Sequence, residues 1–421
     1  MEFEALPSFL KPRLRIFLSA DLVGSSKLKQ AVRSSDEHRD KNLSDGWLNT
    51  LNSFYRHVET SFADEWTRLK TTLAKDGTLE LGSDPELWKA NGDELIFVKI
   101  LTDVIEAQAV VHCWLEAVRR TRAELMRKEF SGIDVKATAW TAGFPVRNRE
   151  IIFQTASASE ARESSTGAPT YASDELLNAW YEDDGARSGL IRDFVGPSLD
   201  AGFRLASLAS PRKFILSVEL ACILSSLQET QISKAPKKSI GKFLFRYEGR
   251  VPLKGILGGK PYPVFHIDAL YDDELLKIED AIRDEKEISP NKVSEFCNAF
   301  IEENDAFITH PFVVGCSTLS FSNHRMPDFY EAELTRRSND WHQTRIKLET
   351  ETQSLSDKPG PVTEELDVPK SELESFAQNV LGKQDRSKKP SSKKARSSRS
   401  APKTKRKSKA KTQNKSGNKS K

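Results

Sequence analysis

The stretch RLRIFLSADLVGSS, Arg13–Ser26, restricts the possible folds of this chain more than any other. Alternation gives way to an apolar run, so Arg13–Val23 is expected as a buried strand, with sheet neighbours beside it and helices over it. Its carboxylate Asp21 stands just before Gly24-Ser25-Ser26, where the strand is expected to turn into a serine-capped helix.

The rest of the chain supplies the partners. Apolar Trp47, Leu48, Leu51, Phe54, Tyr55, Val58 and Phe62 recur at helical spacing within residues 42–73. WKANGDELIFVKI reads as two strands joined by a tight turn at Gly92-Asp93. Asp103–Glu129 is a strongly amphipathic helix and VKATAWTAGFPV a further strand, followed by a polar loop around Glu160–Ala168. Phe214–Leu227 reads as a helix, and KFLFRYEGRVPLKGILGGKPYPVFHI closes with two β-type runs around glycines. This order suits an α/β class, an α+β sandwich of a mixed sheet with packed helices. Three segments are expected: 1–268 as the main domain, 269–350 as a smaller helical region opening with YDDELLKIEDAIRDEKEI, and 351–421 as a disordered linker and tail.

Composition excludes several classes. Lys383–Lys421 holds 17 Lys and Arg against one acidic residue, a balance of +16, so the other 382 residues carry −13 of the net +3. Such a tail has almost nothing apolar to bury and is expected to be disordered; it could touch nucleic acid or an anionic membrane with little sequence preference. No apolar run reaches the roughly 18 residues of a membrane span, since Glu219 interrupts Phe214–Leu227. The N-terminus begins acidic and lacks the apolar centre of a signal peptide, so a cytoplasmic protein is expected. The four cysteines are far apart, which argues against a zinc site or a disulfide frame, and the seven histidines show no metal-ligand spacing.

Asp21 at a strand end and Asp93 at a hairpin tip would converge at one sheet edge if their strands are neighbours, as divalent cations on a triphosphate require. Taken singly, each also fits a structural role, Asp21 as a cap and Asp93 as a turn residue. A third segment, IRDFVGPSLDAGFRLAS, places Asp193, Gly196, Asp200, Gly202 and Arg204 at offsets 0, 3, 7, 9 and 11. In all three places, and in order, the chain resembles the class III nucleotide cyclases. Their third motif is Asp-x-x-Gly-x-x-Val-Asn-x-Ala-x-Arg, and it follows one metal Asp before a glycine turn and a second in a Gly-Asp hairpin. Leu253-Lys254-Gly255 and Tyr262–Ile267 resemble the family's last strands, so the likeness covers Arg13 to Asp268.

The resemblance implies a class III cyclase-like sheet and a residue-by-residue site. Asp21, Asp93 and the carbonyl of Leu22 match the ligands of two Mg²⁺ or Mn²⁺ ions. Gly24, Ser25 and Ser26 match donors to the phosphates, and Arg204 matches the arginine that stabilises charge on the α-phosphoryl oxygens, a contribution of roughly 3–4 kcal/mol. Lys89 and Asp193 coincide with the adenine-reading positions of adenylate cyclases. Asp200 replaces the ribose-orienting asparagine, and an ion pair holding Arg204 is one role open to it. The family's sites lie across a homodimer interface. DLVGSS, GDELIF and DFVGPSLDAGFRL together are most similar to the pyrimidine cyclases of bacterial Pycsar antiphage systems. That implies UTP as nucleoside triphosphate, cyclic UMP as messenger and a downstream effector as partner. Cyclic CMP, cyclic AMP and a degenerate nucleotide-binding module remain the alternatives. Trp47 or Tyr55 could fill a pocket for a smaller base, or could simply be core residues.

Overall fold

The computed structural model describes residues 3–31, 46–75, 81–127, 132–154, 169–182, 190–231, 240, 242–270, 273–283, 287–316, 318 and 325–356. The polar loop around Glu160–Ala168 and the basic tail lie outside the described residues. The described residues up to Gln353 form one compact unit.

A seven-stranded mixed sheet forms the centre. Its strands are β1 (Arg13–Val23), β2 (Glu86–Asn91), β3 (Glu94–Leu101), β4 (Asp134–Phe144), β7 (Lys213–Leu216), β8 (Phe245–Val251) and β9 (Tyr262–Asp268), in the order β2-β3-β1-β4-β7-β9-β8. Neighbours are antiparallel except β4 and β7. A separate ribbon pairs β5 (Arg149–Gln154) with β6 (Leu190–Val195). The α/β expectation holds.

The expected strand Arg13–Val23 is β1, inside the sheet, and its two faces explain the layers. Leu14, Ile16, Leu18, Ala20 and Leu22 enter one core with Phe54, Val58 and Phe62 of α2 (Gly46–Lys75) and Val110 and Trp114 of α3 (Ile105–Arg127). The alternate residues face the other way, because successive strand side chains point to opposite sides. There Phe17 stacks on Trp140 with ring centroids 5.5 Å apart and meets Trp88 and Phe194 edge-on, each at 5.3 Å. Such pairs add ~0.5–1.5 kcal/mol each beyond simple burial. Arg15, Ser19 and Asp21 share this second face with Phe17, and it is covered by the ribbon and by α5 (Pro197–Ala206).

Beneath the ribbon lies a buried ionic group. Arg15 Nη2 donates to Glu150 Oε1 at 3.1 Å and to the Tyr181 hydroxyl at 2.6 Å, and that hydroxyl also bonds Glu150; Tyr181 belongs to α4 (Pro169–Glu182). Burial alone would push the Glu150 carboxyl up, but Arg15, the Tyr181 hydroxyl, Arg192 and Arg13 together hold it below its ordinary value.

The remaining helices are α1 (Ser25–Ala31), α6 (Val218–Gln231), α7 (Glu274–Arg283), α8 (Pro290–Glu303) and α9 (Asp328–Ser356). The expected helix Phe214–Leu227 is corrected: its first residues belong to β7, and the helix begins at Val218. α6 is apolar nearly all round because it lies between the sheet and α8, whose Val293, Cys297, Phe300 and Ile301 share its core. α7 is tied to the sheet by charge: Arg212 and Arg246 each bond both Asp268 and Asp280. No helix among the described residues is long and apolar enough to cross a membrane.

Candidate active site

The strand-turn-helix at the end of β1 is built around Gly24. Its φ is +86°, and a Cβ there would lie 2.4 Å from the Gly132 carbonyl oxygen, so only glycine fits. α1 then starts with Leu28 N–H bonded to Gly24 O at 3.0 Å. Ser25 is buried and donates its hydroxyl to Asp93 Oδ2, so this serine is already engaged by the hairpin; Ser26 is exposed.

The hairpin tip lies beside the end of β1. Leu22 N–H donates to the Asp93 carbonyl at 3.0 Å, and Tyr55 donates its hydroxyl to Gly92 O. Burial and the nearby Asp93 charge push the Tyr55 phenol up. Lys29 of α1 approaches Asp93 Oδ1 at 3.9 Å. Asp21 pairs in register with Glu94 on one side and Lys136 on the other, and Lys136 Nζ is 2.9 Å from Asp21 Oδ2.

Glu94 is a third carboxylate that sequence reasoning left out of the site, although it stands in the quoted GDELIF. It accepts the Ser19 hydroxyl at 2.5 Å. Its carboxyl is pushed up, chiefly by burial and further by Asp21, against the hydrogen bond from Ser19. Among the described residues no three His, Cys, Asp or Glu side chains form a complete metal cage. Asp21 and Asp93 do suit a hard cation that takes one or two protein carboxylates and completes its shell with phosphate oxygens and water.

A second group forms on β2 and β6. Lys89 Nζ lies 3.0 Å and 3.2 Å from the two Asp193 carboxylate oxygens and 4.6 Å from the Trp88 ring centroid. A second ion pair of opposite polarity, Arg192 with Glu86, joins the same two strands. Around Asp193 the ribbon leaves Phe153, Ile191 and Val195 exposed, at 52%, 56% and 41%.

α5 carries the third motif. Gly196 precedes it with φ +142°, where a Cβ would lie 2.4 Å from Asn148 Oδ1. That same oxygen accepts Ser198 N–H at 3.1 Å, so Asn148 caps the helix from the turn before β5, a role invisible in the sequence. Leu199, Gly202 and Leu205 face the sheet, and a Cβ on Gly202 would sit 2.3 Å from the Trp140 ring. Asp200, Phe203 and Arg204 are exposed.

The predicted residues therefore gather in three places. Asp21, Leu22, Gly24, Ser25, Asp93 and Tyr55 meet at the end of β1; Lys89 meets Asp193; Arg204 and Asp200 stand on α5. Ser26 projects from the start of α1, and Trp47 is half-buried near the start of α2. Among the described residues no ion pair joins Asp200 to Arg204, and no hydrogen bond or ion pair joins Arg204 to either other group.

No protein-family model matches the chain, and no curated protein does. Solved structures are similar to it at low identity. The adenylyl cyclase CyaB from P. aeruginosa shows 13% identity and a TM-score of 0.34, covering 62% of this chain and 97% of that one. The guanylate cyclase domain of RhGC from Catenaria anguillulae, solved with GTP, shows 11% and 0.33, covering 62% and 100%. An adenylate/guanylate cyclase/hydrolase from Silicibacter pomeroyi shows 16% and 0.29, covering 62% and 99%.

Proposed function

We propose that the chain is a metal-dependent nucleotide cyclase that converts UTP to 3′,5′-cyclic UMP and pyrophosphate. The observation that supports the cyclase part of this reading is the meeting of Lys89 and Asp193; the choice of UTP rests on the likeness to the pyrimidine cyclases, because that pair taken alone points to ATP. Two residues picked out by separate motifs stand in bonding contact.

In this reading Asp21 and Asp93, with the Leu22 carbonyl, hold two Mg²⁺ or Mn²⁺ ions. When bound, such ions supply Lewis acidity to the ribose 3′-hydroxyl and the triphosphate. The chain's own residues do the rest. Gly24, Ser25 and Ser26 offer backbone N–H donors to the phosphates, and Arg204 stabilises the charge that grows on the α-phosphoryl oxygens. Asp200 stands one helical turn before Arg204. It acts on the ribose side rather than by pairing with that arginine.

Arg204 has no bonded connection to the acid cluster of its own chain. This supports a homodimer in which one chain supplies the carboxylates and its partner supplies Arg204, Lys89 and Asp193. The exposed apolar residues flanking Asp193 suit such an interface. The cyclic product would act as a messenger for an effector protein in antiphage defence, as the likeness to the pyrimidine cyclases implies.

Lys89 and Asp193 offer one donor and one acceptor. Uracil meets them with O4 and N3–H, adenine with N1 and its amino group, so adenylate cyclisation is the second reading. Incubation with Mn²⁺ and each of ATP, GTP, CTP and UTP decides. A cyclic UMP product lost in Asp93→Ala supports the proposal; cyclic AMP transfers it to the adenylate reading, and no product from any nucleotide sinks both.

A further inference from the structure

We propose that Lys136 is the resident counter-ion of the acid cluster, bonding Asp21 when no divalent cation is there, and that it makes cation binding depend on the arrival of triphosphate. The inference rests on the metal-binding role proposed for Asp21.

Asp21 and Glu94 face each other in register at the end of β1, with Asp93 at the hairpin tip bonded through its carbonyl to Leu22, and two lysines answer these carboxylates unequally. Lys136 Nζ is 2.9 Å from Asp21 Oδ2, a direct charge-assisted hydrogen bond. Lys29 stands 3.9 Å from Asp93 Oδ1 and exerts attraction without a bond of that quality. Lys136 and Asp21 are 23% and 28% exposed, so water screens their attraction less than that of a surface pair.

The stem of this lysine is anchored beside Asp21 by the sheet. β1 and β4 pair without interruption from Arg13↔Phe144 to Val23↔Asp134, and Lys136 stands directly opposite Asp21 in that ladder. It therefore competes with any cation as an intramolecular ligand whose effective concentration never falls. A cation that binds alone must break the pair and leave the ammonium without its carboxylate. A cation that arrives with a triphosphate brings phosphate oxygens to which the flexible lysine can turn. Binding of metal and triphosphate is thereby coupled through one side chain.

The test is the dissociation constant of Mn²⁺ alone, read from the free-Mn²⁺ electron paramagnetic resonance signal with the full chain. Lys136→Met keeps the aliphatic stem and removes the charge, and should tighten Mn²⁺ binding roughly three- to tenfold. Lys136→Gln serves if the Met variant does not fold. Lys136→Arg should stay near wild type, and Lys29→Met, which removes an equal charge nearby, should shift binding clearly less.

Unchanged or weaker binding in the folded Lys136 variants overturns the inference. So does an equal shift in Lys29→Met, or no Mn²⁺ binding by any of these proteins. The nucleotide assay separates this from the functional reading. A wild-type chain that cyclises a nucleotide while Lys136→Met binds Mn²⁺ no tighter overturns the counter-ion role alone. A tightened Mn²⁺ site in a chain that cyclises nothing overturns the cyclase alone.

Discussion

Lys89 and Asp193 are 104 residues apart in the chain and 3.0 Å apart in space, where they join the first strand of the main sheet to the second strand of the ribbon. Both side chains are partly exposed, at 40% and 28%, so the pair contributes little to stability, within about 1 kcal/mol. In the proposed function its value lies in what it presents to a nucleotide. Lys89→Ala and Asp193→Ala should raise the KM for the nucleotide roughly ten- to a hundredfold, with melting temperature almost unchanged. Steady-state kinetics with all four nucleotides checks this, and unchanged KM and base preference would remove the pair from the site.

The proposed sharing of the site between two chains has a quantitative signature. Asp93→Ala and Arg204→Ala should each lose at least about a hundredfold in kcat. An equimolar mixture after subunit exchange should regain about a quarter of wild-type activity, because half the dimers are mixed and each holds one intact site. A mixture that stays inactive while dimers demonstrably exchange would place all the groups in one chain.

Gly202 admits no side chain. Gly202→Ala brings a Cβ to within 2.3 Å of the Trp140 ring carbons, and the rigid, fully buried indole has no free rotamer to take. Destabilisation of about 1–3 kcal/mol is expected, read as a lower thermal midpoint. An unchanged midpoint would mean that α5 is not seated on the sheet as described.

Stability should fall in acid through Asp268. Burial would raise this carboxyl, but the neighbouring His266, a hydrogen bond from Arg212 and the charge of Arg246 hold it down to about 2, against an ordinary 3.8. A depressed carboxyl stabilises the fold at pH above its unfolded value and loses that contribution as pH falls through the folded value. Its share is about 2 kcal/mol at neutral pH. Asp268→Asn should therefore lower the denaturant midpoint at pH 7, and the gap to wild type should close as pH drops from about 4 to about 2. A gap independent of pH would assign the loss to packing.

Local pattern made β1, the hairpin and α3 legible, because alternation, a Gly-Asp turn and a helical apolar face are properties of neighbours in sequence. The strand β7 was hidden inside an apolar run that continues into α6, where period cannot separate a buried strand from a buried helix. The break was marked by Ser217, whose hydroxyl accepts Leu220 N–H at 3.3 Å as a helix cap does. The ribbon was missed for a different reason. Its strands stand on either side of a long intervening segment, and Glu150 and Arg192 look like surface charges until Arg15, Tyr181 and Glu86 are seen beside them. Lys136 was missed in the same way, since a partner 115 positions from Asp21 leaves no trace in spacing.

β2 begins the seven-stranded order, so its outer edge carries backbone groups that no strand of that sheet satisfies. Glu86 and Lys89 stand on this strand, and its register with β3 slips between Leu87 and Lys89. Charge and irregularity together discourage a stray strand from docking there. Under the proposed function Lys89 would thus guard solubility as well as meet a base. A lineage that exchanged it to change its nucleotide would also have to protect that edge in another way.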